Sequence, residues 1–382
     1  MDDHRPGATG TWGRLPAFLL LFLLIGCAAR PGMEVLTPSA TTPASADAVT
    51  VYVATTRERQ APDQNSFTNR RAHELNFADY TVSVPPTHKP GRIEWPRTPV
   101  DPATSFTPIR DTVLTRPSFE AALAGRRCGE TGASTAVFVH GYNTNFPEAL
   151  FRVVQMTADT DPRTIPILFA WPSDASTLGY VADRDSAMYS RDYLADFLLR
   201  LTQLCGGGQI TLVGHSMGGW LTVEALRQLR LAGRDDVLKR LQVALASPDI
   251  DIEVFRTQMS IIGPLSPPMT VLVSRDDRAL SVSSRLAGAR QRLGRLNVDE
   301  PEVQEAARTA NLNIIDISGL EASDSFNHDR YVSFAGAYAK MAATGAVTPG
   351  TGLRQAGAFV FRAVGTALSS PFVLAGQALS PE

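Results

Sequence analysis

From Ala136 to Tyr338 the chain alternates two patterns that dictate opposite backbones, and this alternation restricts the fold more than any single residue does. Ala136–Val139, Ile165–Trp171, Gln209–Val213, Leu241–Ala246, Met269–Val273 and Leu312–Ile317 are short, apolar runs of the kind that form buried strands. Between them apolar residues recur at helical spacing. Phe146, Ala149, Leu150, Val153 and Val154 form one such face, with Pro147 near its start. Ser190, Leu194, Phe197, Leu198 and Leu201 form a second, closed by Gly206-Gly207-Gly208. Trp220–Leu231, ending at Gly233, is a third, and Tyr331, Phe334, Ala335 and Tyr338 mark a last helix. Such alternation predicts a mostly parallel sheet with helices on both faces, over 130–345.

Upstream, Val49–Ala54 and Tyr80–Val84 read as two strands that add antiparallel edges to the same sheet. Residues 85–117 are Pro-rich and poorly patterned, and no internal repeat is present. With 44% hydrophobic and 19% charged residues among 382, the chain can bury a substantial core. Its net charge of −2 creates no field that would gather nucleic acid, so that class of partner is excluded.

Gly214-His215-Ser216-Met217-Gly218 matches G-x-S-x-G, and its position carries the information. It follows a predicted buried strand and precedes an amphipathic helix, as in the nucleophile turn of the α/β-hydrolase fold. Small flanking residues permit a turn tight enough to lift the Ser216 hydroxyl above the sheet. The helix N-terminus behind it presents N–H groups to a developing oxyanion. A general base follows by elimination. The histidines are His4, His73, His88, His140, His215 and His328, and in this fold the base comes after the nucleophile and the acid. Only His328 does. The acid ends a strand, which leaves Asp277 as first choice, with Asp276 and Asp249 as alternatives. His140-Gly141-Tyr142-Asn143 follows the strand at 136–139, where the second oxyanion donor is expected. The N–H groups of Tyr142 and Met217 are the candidates, with Gly141 as the alternative to Tyr142.

These pieces, with Tyr52-Val53-Ala54-Thr55-Thr56-Arg57, Trp171-Pro172-Ser173, Tyr180, Asp183 and Asp277-Arg278-Ala279-Leu280, resemble a group of uncharacterised bacterial α/β-hydrolases of the esterase/lipase superfamily. The resemblance covers 49–340. It implies a serine hydrolase fold and favours Asp277 as acid. The group's histidine region often reads HSY, whereas here it is His328-Asp329-Arg330-Tyr331.

The N-terminus follows other rules. Ala17–Gly26 is uncharged and apolar, too short to span a bilayer but of the length of an export-signal core, with Arg5 and Arg14 before it. Leu24-Ile25-Gly26-Cys27 resembles the lipobox of bacterial lipoproteins, which implies cleavage before Cys27 and acylation of that residue. Anchoring by more than one chain is effectively permanent. Ala28, where that pattern often has Asp for inner-membrane retention, implies the periplasmic side of the outer membrane. Residues 28–48, rich in Thr, Pro, Ala and Ser, read as a flexible tether of about 20 residues that lifts the domain off the membrane by roughly 25 Å.

The expected organisation is therefore a signal peptide at 1–26, a lipidated Cys27 and linker at 27–48, a hydrolase domain at 49–345 (early strands 49–118, core 130–345) and an apolar tail at 346–382. Cys128 and Cys205 each precede a strand, and in this fold those strands are parallel neighbours. With export to an oxidising compartment, this geometry motivates a disulfide between them, with two buried thiols as the alternative. The tail segment 352–379 reads as mobile or core-docked, with a membrane-interface or mouth-covering role as the alternative. No metal-ligand spacing or nucleotide-binding pattern appears, so no cofactor is expected. The activity expected is hydrolysis of a small-molecule or lipid carboxylic ester, or of a thioester or amide. The competing reading is a non-catalytic envelope binding module on the same fold.

Overall fold

The computed structural model describes residues 30–39, 47–97, 99–126, 128, 134–161, 163–343, 359–364 and 373–378. The chain enters the sheet through β1 (Asp47–Arg59), β2 (Phe67–Val84) and β3 (Thr107–Leu114). Helix α1 (Arg116–Gly125) leads to β4 (Thr135–Val139), α2 (Phe146–Asp159), β5 (Ile165–Ala170) and α3 (Tyr180–Leu204). Then follow β6 (Ile210–His215), α4 (Met217–Leu231), α5 (Asp235–Leu238), β7 (Leu241–Ala246) and α6 (Ile252–Ile262). β8 (Met269–Val273), α7 (Arg278–Leu286), α8 (Pro301–Thr309), β9 (Leu312–Gly319) and α9 (Arg330–Ala343) complete the alternation, and β10 (Phe359–Val364) and β11 (Val373–Ala378) come last. Among the described residues these strands form one sheet of eleven, in the order β11-β10-β9-β8-β7-β6-β4-β5-β1-β2-β3.

The predicted strands are apolar at successive positions because both faces of the sheet are covered. Val137, Val139, Ile167 and Phe169 point into a cluster with α3, α4 and α6, while Phe138, Leu168 and Ala170 point into a second with α2 and α9. Strand β4 lies between β5 and β6, so the connection through α2 runs one way from it and the return through α3 the other. That reversal opens a crevice beyond the carboxyl ends of β4 and its neighbours, where ligands bind in such sheets.

Three expectations need correction. β1 is not an antiparallel edge: it pairs in parallel with β5 and is buried on both faces (Val51, Val53; Tyr52, Ala54), and only β2 and β3 run antiparallel outside it. The segment 85–117 contains β3, whose Pro108 is tolerated on an edge strand because no outer neighbour needs its missing N–H. Residues 30–39 do not act as a tether: Leu36 is buried against α2, Ser39 N donates to Pro108 O at 2.8 Å, and Asn145 Nδ2 to Pro31 O at 2.6 Å. Parts of the C-terminal stretch add strands, β10 parallel to β9 and β11 antiparallel to β10; the rest of 352–379 lies outside the described residues, as do the signal segment and Cys27. Cys128 and Cys205 are joined in a disulfide with Cα atoms 4.8 Å apart, at the amino ends of the adjacent strands β4 and β6.

Candidate active site

Ser216 is the single residue between β6 and α4, with φ 53° and ψ −120°. A non-glycine residue there carries strain of order 1–3 kcal/mol, which the surroundings must hold. They do so through its own peptide groups. Ser216 N donates to Ala246 O at 2.9 Å, and Ser216 O accepts from Gly219 N at 2.9 Å and Asp249 N at 3.1 Å. Gly218 lets α4 start against the end of β4: a methyl at that position would lie 2.3 Å from His140 O and 2.4 Å from Val139 O.

His328 sits in the loop between β9 and α9. Its Nδ1 lies 2.7 Å from Asp277 Oδ2, and its ring centroid is 4.7 Å from that of His215, the neighbour of Ser216. Asp277 is fully buried and caps α7, its Oδ1 accepting from Leu280 N at 2.9 Å. One oxygen thus fixes the carboxylate and the other meets the imidazole. Burial alone disfavours the imidazolium, but the charge of Asp277, its hydrogen bond, and the charges of Asp324 and Asp249 outweigh it and raise His328 above the ordinary histidine value. Asp324 also accepts the backbone N–H of His328 at 2.9 Å. With Nδ1 engaged, Nε2 is the nitrogen left for proton transfer.

The rival acids have other partners. Arg330 engages both oxygens of Asp276, one at 2.9 Å, and Asn327 Nδ2 donates to the same carboxylate at 2.9 Å. The Arg330 hydrogen bonds hold the Asp276 carboxyl below its usual range. Asp276 therefore braces the loop that carries His328. Asp249 accepts from Ser283 Oγ at 2.6 Å and Tyr180 Oη at 2.9 Å, and lies 3.1 Å from Arg292 Nε. Burial, followed by the charge of Asp249, pushes the Tyr180 hydroxyl up to about 12. Tyr180, Met217, Trp220, Asp249, Val254 and Arg292 border a cleft of about 30 Å³ beside the Ser216 turn.

Among the described residues, the backbone N–H groups of Tyr142 and Met217 donate to no protein acceptor. Met217 is the first residue of α4, whose leading N–H groups have no intrahelical partner. The loop carrying Tyr142 is held on every side. Asn143 N donates to Asp183 Oδ2 at 3.0 Å, Thr144 N to Ser173 Oγ at 3.2 Å, and buried Arg57 to Thr144 O at 3.1 Å. Asp183 also accepts from Ser173 Oγ and Asp174 N, both at 2.6 Å, and burial raises its carboxyl above the usual range. Burial likewise pulls Arg57 down to about 10 against the charges of Asp183, Asp174 and Glu148. His140 stacks on Trp171, its ring nitrogens 2.9 Å from Gly141 O and 3.0 Å from Trp171 O, and burial pulls it down to about 3. Arg57, Ser173 and Asp183 had stood in the sequence only as matching pieces of a resemblance, and their shared work in this loop spans 126 positions of chain. Among the described residues no group of three or more His, Cys, Asp or Glu side chains is arranged to hold a metal ion.

The strand order, the turn at Ser216 and the Asp277–His328 pair at the carboxyl ends of the strands are those of the α/β-hydrolase class. Residues 116–344 match the family described as alpha/beta hydrolase of unknown function (DUF900). The match takes in more than half of the chain, and the protein belongs to that family. No curated protein matches. Among solved structures the chain is similar to a lipase-esterase related protein from Clostridium acetobutylicum ATCC 824, with 13% identity and a TM-score of 0.24 over 55% of this chain and 84% of that one.

Proposed function

We propose that the protein is a serine hydrolase that cleaves carboxylic esters through an acyl-enzyme. The observation that carries this reading is the 2.7 Å bond between His328 Nδ1 and Asp277 Oδ2, with the imidazole set against the strained turn that presents Ser216. In the first step Ser216 Oγ attacks the ester carbonyl and His328 Nε2 takes its proton. The negative oxygen is received by the N–H groups of Tyr142 and Met217. His328 returns the proton to the departing alkoxide, and Asp277 stabilises the imidazolium between these transfers. Water, deprotonated by His328, then attacks the acyl-Ser216 carbonyl; the bond to Ser216 Oγ breaks, His328 returns the proton to that oxygen, and the acid is released. The preference for esters over thioesters and amides rests on the frequency of ester chemistry on this fold.

The same proposal includes the anchor. Cleavage before Cys27 and acylation of that cysteine would place the enzyme on the periplasmic side of the outer membrane, a reading supported by Leu24-Ile25-Gly26-Cys27 and Ala28. A panel of p-nitrophenyl esters of increasing acyl length tests the activity. Ser216→Ala should lower kcat by roughly 10⁴ to 10⁶ on whichever ester is turned over. Turnover that survives this substitution contradicts the proposal.

A further inference from the structure

The first described residue bears directly on how the site meets its substrate. Arg30 binds the loop next to Tyr142: Nη1 donates to Asn143 Oδ1 at 2.8 Å and Ala175 O at 2.5 Å, Nη2 to Asn143 O, and the guanidinium meets Glu148 with two contacts of 2.6 Å. A lone exposed ion pair would be weak, but here a two-pronged Arg–carboxylate pair is joined by two backbone carbonyls and an amide oxygen. Cys27 lies three residues earlier. A chain spans at most about 3.6 Å per residue, so three residues bridge at most about 11 Å. A membrane attached at Cys27 would be tied to Arg30 through this short span, rather than through a 20-residue tether.

The surface around that mouth has matching chemistry. Leu178 is 95% exposed, and Val181 follows it at the start of α3; both stand in the stretch after β5. This is the stretch whose Ala175 meets Arg30 and whose Thr177 O accepts from Tyr142 Oη at 2.6 Å. Phe326, 52% exposed, stands two residues before His328. Val282 and Leu286 are exposed on α7, the helix that Asp277 caps. Single exposed apolar residues are ordinary, but these follow the carboxyl ends of β5, β8 and β9, which surround one crevice. Tyr180, Trp220 and Val254 line the cleft beside Met217, and Val254 is itself exposed.

We infer that the catalytic face docks on the bilayer that holds Cys27, with Leu178, Val181 and Phe326 at the lipid–water interface, and that the substrate is an amphiphilic ester whose acyl chain lies in the same leaflet. This inference rests on the readings of Cys27 as acylated and of Ser216 as nucleophile. Nitroxide labels test it on the full chain, made with its own signal segment and reconstituted in phosphatidylethanolamine–phosphatidylglycerol vesicles. Cys128 and Cys205 are bonded to each other, and acylation consumes Cys27, so a label on Leu178→Cys or Phe326→Cys has a single site. Leu231→Cys, at the far end of α4, is the control. The expected result is that labels at 178 and 326 are relaxed by oxygen and shielded several-fold from an aqueous nickel chelate, while the label at 231 shows the reverse. Vesicle-bound protein with all three labels equally open to nickel overturns the docking inference alone. An unmodified Cys27 in the mass of the N-terminal peptide, with protein that sediments apart from the vesicles, overturns the anchor and the docking together. The labels do not depend on turnover, so failure of the hydrolase reading shows only in ester assays.

Discussion

Replacing Gly218 with alanine puts a methyl where the end of β4 already stands. The added carbon would lie 2.3 Å from His140 O and 2.4 Å from Val139 O, both backbone atoms that no rotamer change can move. Restoring ordinary contact requires about 1 Å of separation between α4 and β4, an overpacking cost of about 2–3 kcal/mol. For a domain of this size that lowers Tm by roughly 4–6 °C. The separation also parts the two N–H groups proposed as oxyanion donors, because Met217 rides on α4 and Tyr142 follows β4. A misplacement of about 1 Å costs on the order of 100-fold in rate. Thermal melts and kcat on a short-chain ester measure both effects. Gly219→Ala is the internal control: its methyl would meet Pro248 Cβ at 3.2 Å, so only a slight adjustment is needed, and alanine favours the helix. A Gly218→Ala protein with unchanged Tm and kcat would refute the reasoning, as would equal losses in the two variants.

Three further outcomes follow from the same geometry. His328 must be neutral to act as base, so kcat/KM should rise with pH to a midpoint above 6.5; Asp277→Asn should move that midpoint down and lower the rate by about 10⁴, both read from a pH–rate profile. Opening the disulfide with Cys128→Ser and Cys205→Ser releases a sequence separation of 77 residues and should lower stability by about 2–4 kcal/mol, seen as an earlier urea midpoint. Burial depresses His140 and His215 in the folded state, so the unfolded chain takes up their protons first as pH falls below 6.5; this pair should remove stability at about 1.4 kcal/mol per pH unit for each proton, and denaturant titrations of wild type against His140→Gln between pH 6.5 and 5 should show the smaller slope in the variant.

The parts of the fold legible in the sequence are those whose environment repeats. Strands β4 to β9 are covered on both faces, so each reads as a short run dominated by apolar residues, and Ser216 stands where one of these runs meets a helix. His328 is reached by chain order, Asp277 stays one of three strand-end candidates that the family resemblance favours, and Cys128 and Cys205 are paired by their equal standing before neighbouring strands. What was not legible depends on contacts between distant segments or on one-sided burial. β3 has only one strand neighbour and carries Pro108, so its side chains follow no clean alternation. A usable signal for α1 was present in Thr115-Arg116-Pro117-Ser118, where Thr115 and Ser118 cap each other's N–H groups. The segment 30–39 has the composition of a linker, yet Arg30, Pro31 and Leu36 each meet a partner brought there by the folded body. Asp249 shares the strand-end position of a triad acid, and only the nearness of Tyr180, Ser283 and Arg292 assigns it elsewhere.

The central claim is that Ser216 is a nucleophile activated by His328. A fluorophosphonate applied to the folded protein, followed by peptide mass spectrometry, tests it at the atom concerned. The adduct should sit on Ser216, form slowly or not at all in His328→Ala, and be absent from Ser216→Ala. An adduct on another serine, or a wild-type protein that stays unmodified while turning over esters, contradicts the account.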